Sequence, residues 1–148
     1  MQATSFGQHS SEAVPQRSNT TQRRKPCQNA LNWFEIPVTD LHRAVKFYSA
    51  IYDTKLVPQD TMPGYDAAFF PAESDGVGGA IVQGEGYVPA TEGTLVYLSG
   101  GDNLSTILDR VEGAGGKVIM PKSGIGDNGF IGLFIDSEGN KVGLHSMG

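Results

Sequence analysis

The strongest constraint on this chain is that it states one plan twice. "NWFEIPV" (32–38) has strand composition and ends at a proline. Alternation along it puts Trp33 and Glu35 on one face and Phe34, Ile36 and Val38 on the other. "TDLHRAVKFYSAIYD" follows, with Thr39 or Asp40 as a plausible N-cap. Leu41, Ala44, Val45, Tyr48 and Ile51/Tyr52 recur at helical spacing, and His42, Arg43 and Lys46 fall on the wet face. Three strands are expected at 55–61, 65–71 and 77–84, punctuated by Pro63-Gly64 and by Glu73-Ser74-Asp75-Gly76. The second half repeats the order. "GTLVYLS" (93–99) reads as a strand, and "GGDNLSTILDRVEGAGG" as a helix capped near Asp102 or Asn103 and stopped by Gly115-Gly116. "KVIMP", "GFIGLFID" and "NKVGLHS" are strands. Leu41, Val45, Tyr48 and Ile51 map onto Leu104, Leu108, Val111 and Ala114 at a constant offset of 63. Two tandem βαβββ modules, about 32–86 and 93–147, are therefore expected. Neither buries both its helix and its sheet alone. Together they predict an α+β fold, a curved mixed eight-stranded sheet with helices outside and a cleft inside.

Charge narrows the partners. Residues 1–31 carry Arg17, Arg23, Arg24 and Lys25 against Glu12, so the remainder is left at −8 of the chain's net −5. An acidic body repels phosphate backbones, which argues against nucleic acid. The +3 of residues 1–31 is a weak basis for docking on an acidic partner. Those residues lack apolar periodicity and an apolar leader core and are expected to form a flexible tail. No stretch has the apolar length of a membrane span. The single cysteine, Cys27, cannot form an internal disulfide, which fits a reducing, cytoplasmic setting. No nucleophile is indicated, because Ser99, Ser123 and Ser146 lack an elbow context.

"NWFEIPVTDLHRAVKFYSAIY", "LDRVEGAGGKVIMP" and "GLFIDSEGNKVGLHS" together resemble the vicinal oxygen chelate superfamily: glyoxalase I, extradiol dioxygenases, fosfomycin-resistance enzymes and bleomycin-resistance proteins. The similarity covers about residues 32–147. In the metal-dependent members, the first and last strands of each module each give one ligand, mostly His or Glu, to a divalent ion in the cleft. Here those positions fall on Trp33, on Gly79 or Ile81, on Thr94 or Val96, and on Gly143. Apart from the weak Thr94, none is a conventional ligand. The resemblance thus implies a domain with no metal cofactor, binding a small organic molecule as bleomycin-resistance proteins do, and forming a homodimer.

Alternation leaves Trp33 and Glu35 of the first strand, and Gly143, His145 and Met147 of the last, on the ligand face. Trp33, Glu35, Tyr97, Phe134 and His145 are the candidate ligand contacts. Tyr65, Phe69, Phe70 and Tyr87 are further aromatics that serve a cleft or an ordinary core. Glu35 and His145 are the candidate catalytic pair, with Glu35 orienting a His145 base; the alternative function is a glyoxalase-like lyase or isomerase, with or without a divalent metal. Against that stands the structural role most strand-borne His and Glu residues play. "PKSGIGDNGFIG" (121–132) is expected to be a hairpin turning at Asp127-Asn128-Gly129, and is compatible with a mobile lid.

Overall fold

A computed structural model describes Gly7 and residues 29–148. Apart from Gly7 and residues 29–31, the expected tail lies outside the described residues, as does Cys27. The element order is β1 (Trp33–Pro37), α1 (Leu41–Tyr52), β2 (Val57–Asp60), β3 (Tyr65–Phe69), β4 (Gly78–Gly84), β5 (Tyr97–Ser99), α2 (Ser105–Leu108), β6 (Lys117–Gly124), β7 (Phe130–Ile135) and β8 (Lys141–Ser146). The βαβββ plan is thus present twice. Among the described residues the strands are hydrogen-bonded as two four-stranded mixed sheets of matching order, β1-β4-β3-β2 and β5-β8-β7-β6, with no ladder joining them. In each, the module's first and last strands pair in parallel and the rest antiparallel.

The helix α1 forms where the apolar spacing predicts it. Asp40 caps it, accepting from the Arg43 amide at 3.0 Å, and Gln83 accepts from the Leu41 amide at 2.7 Å. Asp53 ends it in the left-handed region, with Thr54 N–H returning to the Ser49 carbonyl. The expected second helix is shorter: four residues of α-helix, then turns closed by three-residue-back bonds such as Arg110 to Ile107 and Val111 to Leu108. Glycines at 113, 115 and 116, each costing a helix about 1 kcal/mol relative to Ala, keep the turns from growing back into a helix. Its apolar residues still pack as the repeat predicts, Leu104, Leu108 and Val111 being buried.

One core joins the modules. Phe47, Tyr48 and Ile51 of α1 meet Ile36, Ala68 and Ile81 of the first sheet and Phe134, Val142 and Leu144 of the second. The Phe47 and Phe134 rings lie 6.0 Å apart. Both sheets therefore turn their helix-side faces to a shared interior. The opposite faces look away from the core.

A polar clamp locks the modules together. Asp136, 3% exposed, accepts from the Tyr48 hydroxyl at 2.7 Å, from Asn140 Nδ2 and amide at 2.9 Å, and from the Glu138 amide at 2.9 Å. Asn140 also donates to the Pro37 carbonyl at 2.8 Å. Glu138 covers the start of α1, accepting from the amides of Thr39 and Asp40 at 3.0 and 2.8 Å and pairing with Arg43 Nε at 2.7 Å. Burial pushes the Glu138 pKa up, but the Arg43 guanidinium and the backbone donors outweigh it and hold it at about 2. A carboxylate depressed in the folded state stabilises fully above its unfolded pKa near 4.5 and loses that contribution as pH falls toward 2. Thermal denaturation is thus expected to show a falling midpoint across that acid window, and Glu138→Gln to flatten the fall.

Candidate functional site

The outward face of the first sheet carries the candidate site. Glu35 pairs in register with Ala80, and Trp33 with Gly78, so β1 and β4 present Trp33, Glu35, Gly78, Ala80 and Val82 outward. Phe34, Ile36, Gly79 and Ile81 turn to the helix side, as alternation requires. Small side chains make a floor: Ala67, Ala80 and Val82 are buried and packed beneath Tyr87. Aromatic rings make the walls. Trp33 lies edge-on to Phe69 at 5.3 Å, and Tyr65 to Tyr87 at 5.9 Å. With Met62 they enclose a recess of about 350 Å³. Trp33, Phe69 and Met62 remain 42%, 40% and 69% exposed. Three large apolar groups are thus left in solvent around one concavity.

Glu35 is the acidic group of this recess. Its carboxylate accepts the Tyr87 hydroxyl at 2.5 Å, and that bond raises the Tyr87 pKa, with a smaller contribution from burial. Tyr87 comes from the segment linking the modules, so the linker is folded onto the face and tied to its one carboxylate.

The second sheet's outward face is β8's Lys141, Gly143 and His145 with Tyr97 and Ser99 of β5. His145 Nε2 lies 2.6 Å from the Asn128 carbonyl. A carbonyl only accepts, so Nε2 carries the proton and the ring pins the β6–β7 turn. Glu35 and His145 lie on different sheets, each held by another partner, and among the described residues no hydrogen bond joins them within one chain. Tyr97 is exposed and edge-placed, with its ring against Gly143. Phe134 is fully buried on the helix side, paired with Val142, and offers a ligand nothing. Of the five expected ligand contacts, Trp33 and Glu35 share a recess, Tyr97 and His145 share the other face, and Phe134 belongs to the core. The 121–132 segment is a β6–β7 hairpin turning through a 3₁₀ step at Gly126–Asn128.

The registers also correct the correspondence between modules. Ile36 opposite Ile81 and Leu98 opposite Leu144 are the equivalent buried pairs. Ala80 is therefore the outward counterpart of Gly143, not Gly79 or Ile81, which face the helix. Val96 packs on the core, so the counterpart of Trp33 is Leu95. The displacement from the expected Thr94 or Val96 arises because the strand-to-helix step of module two is one residue longer. The set Trp33, Ala80, Leu95 and Gly143 contains no metal donor, and among the described residues no three His, Cys, Asp or Glu side chains gather around a point. The residues do not fit the superfamily's divalent ion. Gly143 has a local reason to be glycine: a Cβ there would run into the Tyr97 ring.

Two βαβββ modules, each with its first and last strands paired in parallel beneath an outward face, define a vicinal-oxygen-chelate domain. The model of the Glyoxalase/Bleomycin resistance protein/Dioxygenase superfamily matches residues 30–144, and the chain belongs to that superfamily. It is 28% identical over 123 residues to a protein of Mycobacterium bovis and Mycobacterium tuberculosis that carries the provisional name glyoxylase CFP32. That match covers 79% of this chain but 45% of the mycobacterial one, so the chain spans about half the length of the curated relatives it matches. Among solved structures it resembles a glyoxalase/bleomycin resistance protein from Streptomyces sp. CB03234, at 23% identity and TM-score 0.59, over 79% of this chain and all of that one. It also resembles a point mutant of glyoxalase I from Zea mays, at 20% identity and TM-score 0.60, over 78% of this chain and 44% of that one. Both likenesses show the fold.

Proposed function

We propose that this chain binds a small organic molecule through the aromatic recess of its first sheet, without a metal. One observation carries the reading: Trp33, standing where the superfamily expects a metal ligand, is a half-exposed ring walling an apolar recess. Such a recess, mostly apolar with a few polar groups, here the Glu35 carboxylate and the hydroxyls of Thr61, Tyr65 and Tyr87, is the common form of a ligand site. The floor is uncharged and, among the described residues, the only ionic group of the lining is Glu35, on a body of net −8. The fitting ligand is therefore flat, aromatic, and neutral or cationic, with a donor for the Glu35 carboxylate.

We also propose a homodimer. Both outward faces carry exposed aromatics, Trp33 and Phe69 on one and Tyr97 on the other. A second copy would cover them and set Glu35 of one chain against the sheet that holds His145 in the next. The lyase or isomerase reading needs that apposition, since the two residues are apart within a chain. Binding is the favoured reading, because both groups are already engaged, by Tyr87 and by Asn128. As the sole tryptophan, Trp33 reports directly. A panel of neutral and cationic aromatic compounds is expected to include members that saturably quench its emission. A panel that never perturbs it counts against the recess.

A further inference from the structure

A second concavity lies on the other side of β1 and is distinct from the recess just described. Its volume is about 290 Å³, and it runs between the modules. One wall is aromatic: Phe34 and Phe70 pair at 5.5 Å, and Tyr52 and Phe70 at 6.2 Å. The facing wall is the free edge of the second sheet at Tyr97–Ser99. Among the described residues its lining contains no charged side chain. Gly79 helps to keep the space open. It stands in register with Phe34, and a Cβ there would collide with the Phe34 ring, so the glycine lets that ring lie back on its strand.

Polar groups are few and defined. The Tyr52 hydroxyl donates to the Ser99 carbonyl at 2.9 Å, which leaves its oxygen only accepting capacity. Burial pushes that phenol above its ordinary pKa, so it stays neutral. An engineered apolar cavity of about 150 Å³ accepts one benzene, so a space twice that size takes roughly two fused or linked rings. We infer that this intermodule cavity is a separate binding site for an uncharged aromatic molecule of about two rings bearing one hydrogen-bond donor. A molecule lodged there touches α1, β1 and β5 together, and so stabilises the packing of one module on the other.

2-Naphthol, uncharged at neutral pH, two-ringed and with one O–H donor, is a suitable probe. Titrated with the full chain, it is expected to show a saturable fluorescence change that includes a component from this cavity. Val77→Trp, at a half-buried lining position, fills the space and is expected to weaken binding by about tenfold or more. Thr54→Trp, at an exposed lining position, does the same from the other side and carries the test if Val77→Trp melts early. Phe69→Ala, in the outward recess, is expected to leave the probe's affinity unchanged. No saturable binding, or undiminished affinity in folded Val77→Trp and Thr54→Trp chains, overturns the inference. Loss of affinity in Phe69→Ala alone also overturns it, by assigning the probe to the Trp33 recess.

Discussion

Replacing Asp136 by Ala is expected to lower the stability of the chain by about 3–5 kcal/mol. The carboxylate is buried and accepts four hydrogen bonds, from Tyr48, from Asn140 twice, and from Glu138. Each orphaned buried donor costs about 1–3 kcal/mol, and water entering the vacated space limits the sum. At about 2–4 °C per kcal/mol for a chain of this size, the thermal midpoint should fall by roughly 10–15 °C. Tyr48→Phe removes one bond and keeps the ring, so about 1–2 kcal/mol is expected. The effect is large because one bond spans the modules, from Tyr48 in α1 to Asp136 beyond β7, while the others brace the β7–β8 turn that carries Glu138 and Asn140 onto the first module. Urea unfolding measures it. A loss under about 1 kcal/mol for Asp136→Ala would mean that this carboxylate does little to hold the turn and the modules together.

Trp33→Ala is expected to weaken binding of a ligand identified by tryptophan quenching by roughly 30- to 1,000-fold. Burial of a large aromatic group is worth about 1.5–3 kcal/mol, and ring-on-ring geometry adds about 0.5–1.5 kcal/mol. Trp33→Phe keeps the face and should lose less than about tenfold. Calorimetry must read both, since the variants lack the fluorophore. Their thermal midpoints should stay close to that of the parent, because Trp33 is 42% exposed and lies outside the common core. A midpoint that falls together with affinity would assign Trp33 a packing role instead.

Much of the fold is legible in the sequence. The offset between Leu41 and Leu104 exposes the duplicated plan, and the alternation of β1 and β8 correctly separates Trp33 and Glu35 from Phe34, and His145 from Leu144. What stays hidden is long-range. "SEGN" reads as a turn, and nothing local says that Glu138 reaches back to the first turn of α1, 95 to 99 residues away. Periodicity puts Phe134 on a face without saying whether that face is covered; the Phe47 ring of α1 covers it, so Phe134 is core and not cleft. The symmetry of the modules draws Glu35 and His145 together on paper, and the shared helix-side core holds them on separate sheets. Gly143 is legible as a missing carboxylate, but only the register shows that Tyr97 occupies its space. The linker's role in carrying Tyr87 onto Glu35 has no sequence signal beyond an aromatic in a loop.

The central claim is that the recess binds without a metal, because Trp33, Ala80, Leu95 and Gly143 supply no donor. It is tested most directly by repeating the quenching titration of Trp33 in chelator and after adding one equivalent of zinc, nickel, cobalt or manganese in turn. One affinity throughout is expected, with no stoichiometric ion in the purified protein. Binding that disappears in chelator and returns with one equivalent of a divalent ion would contradict it.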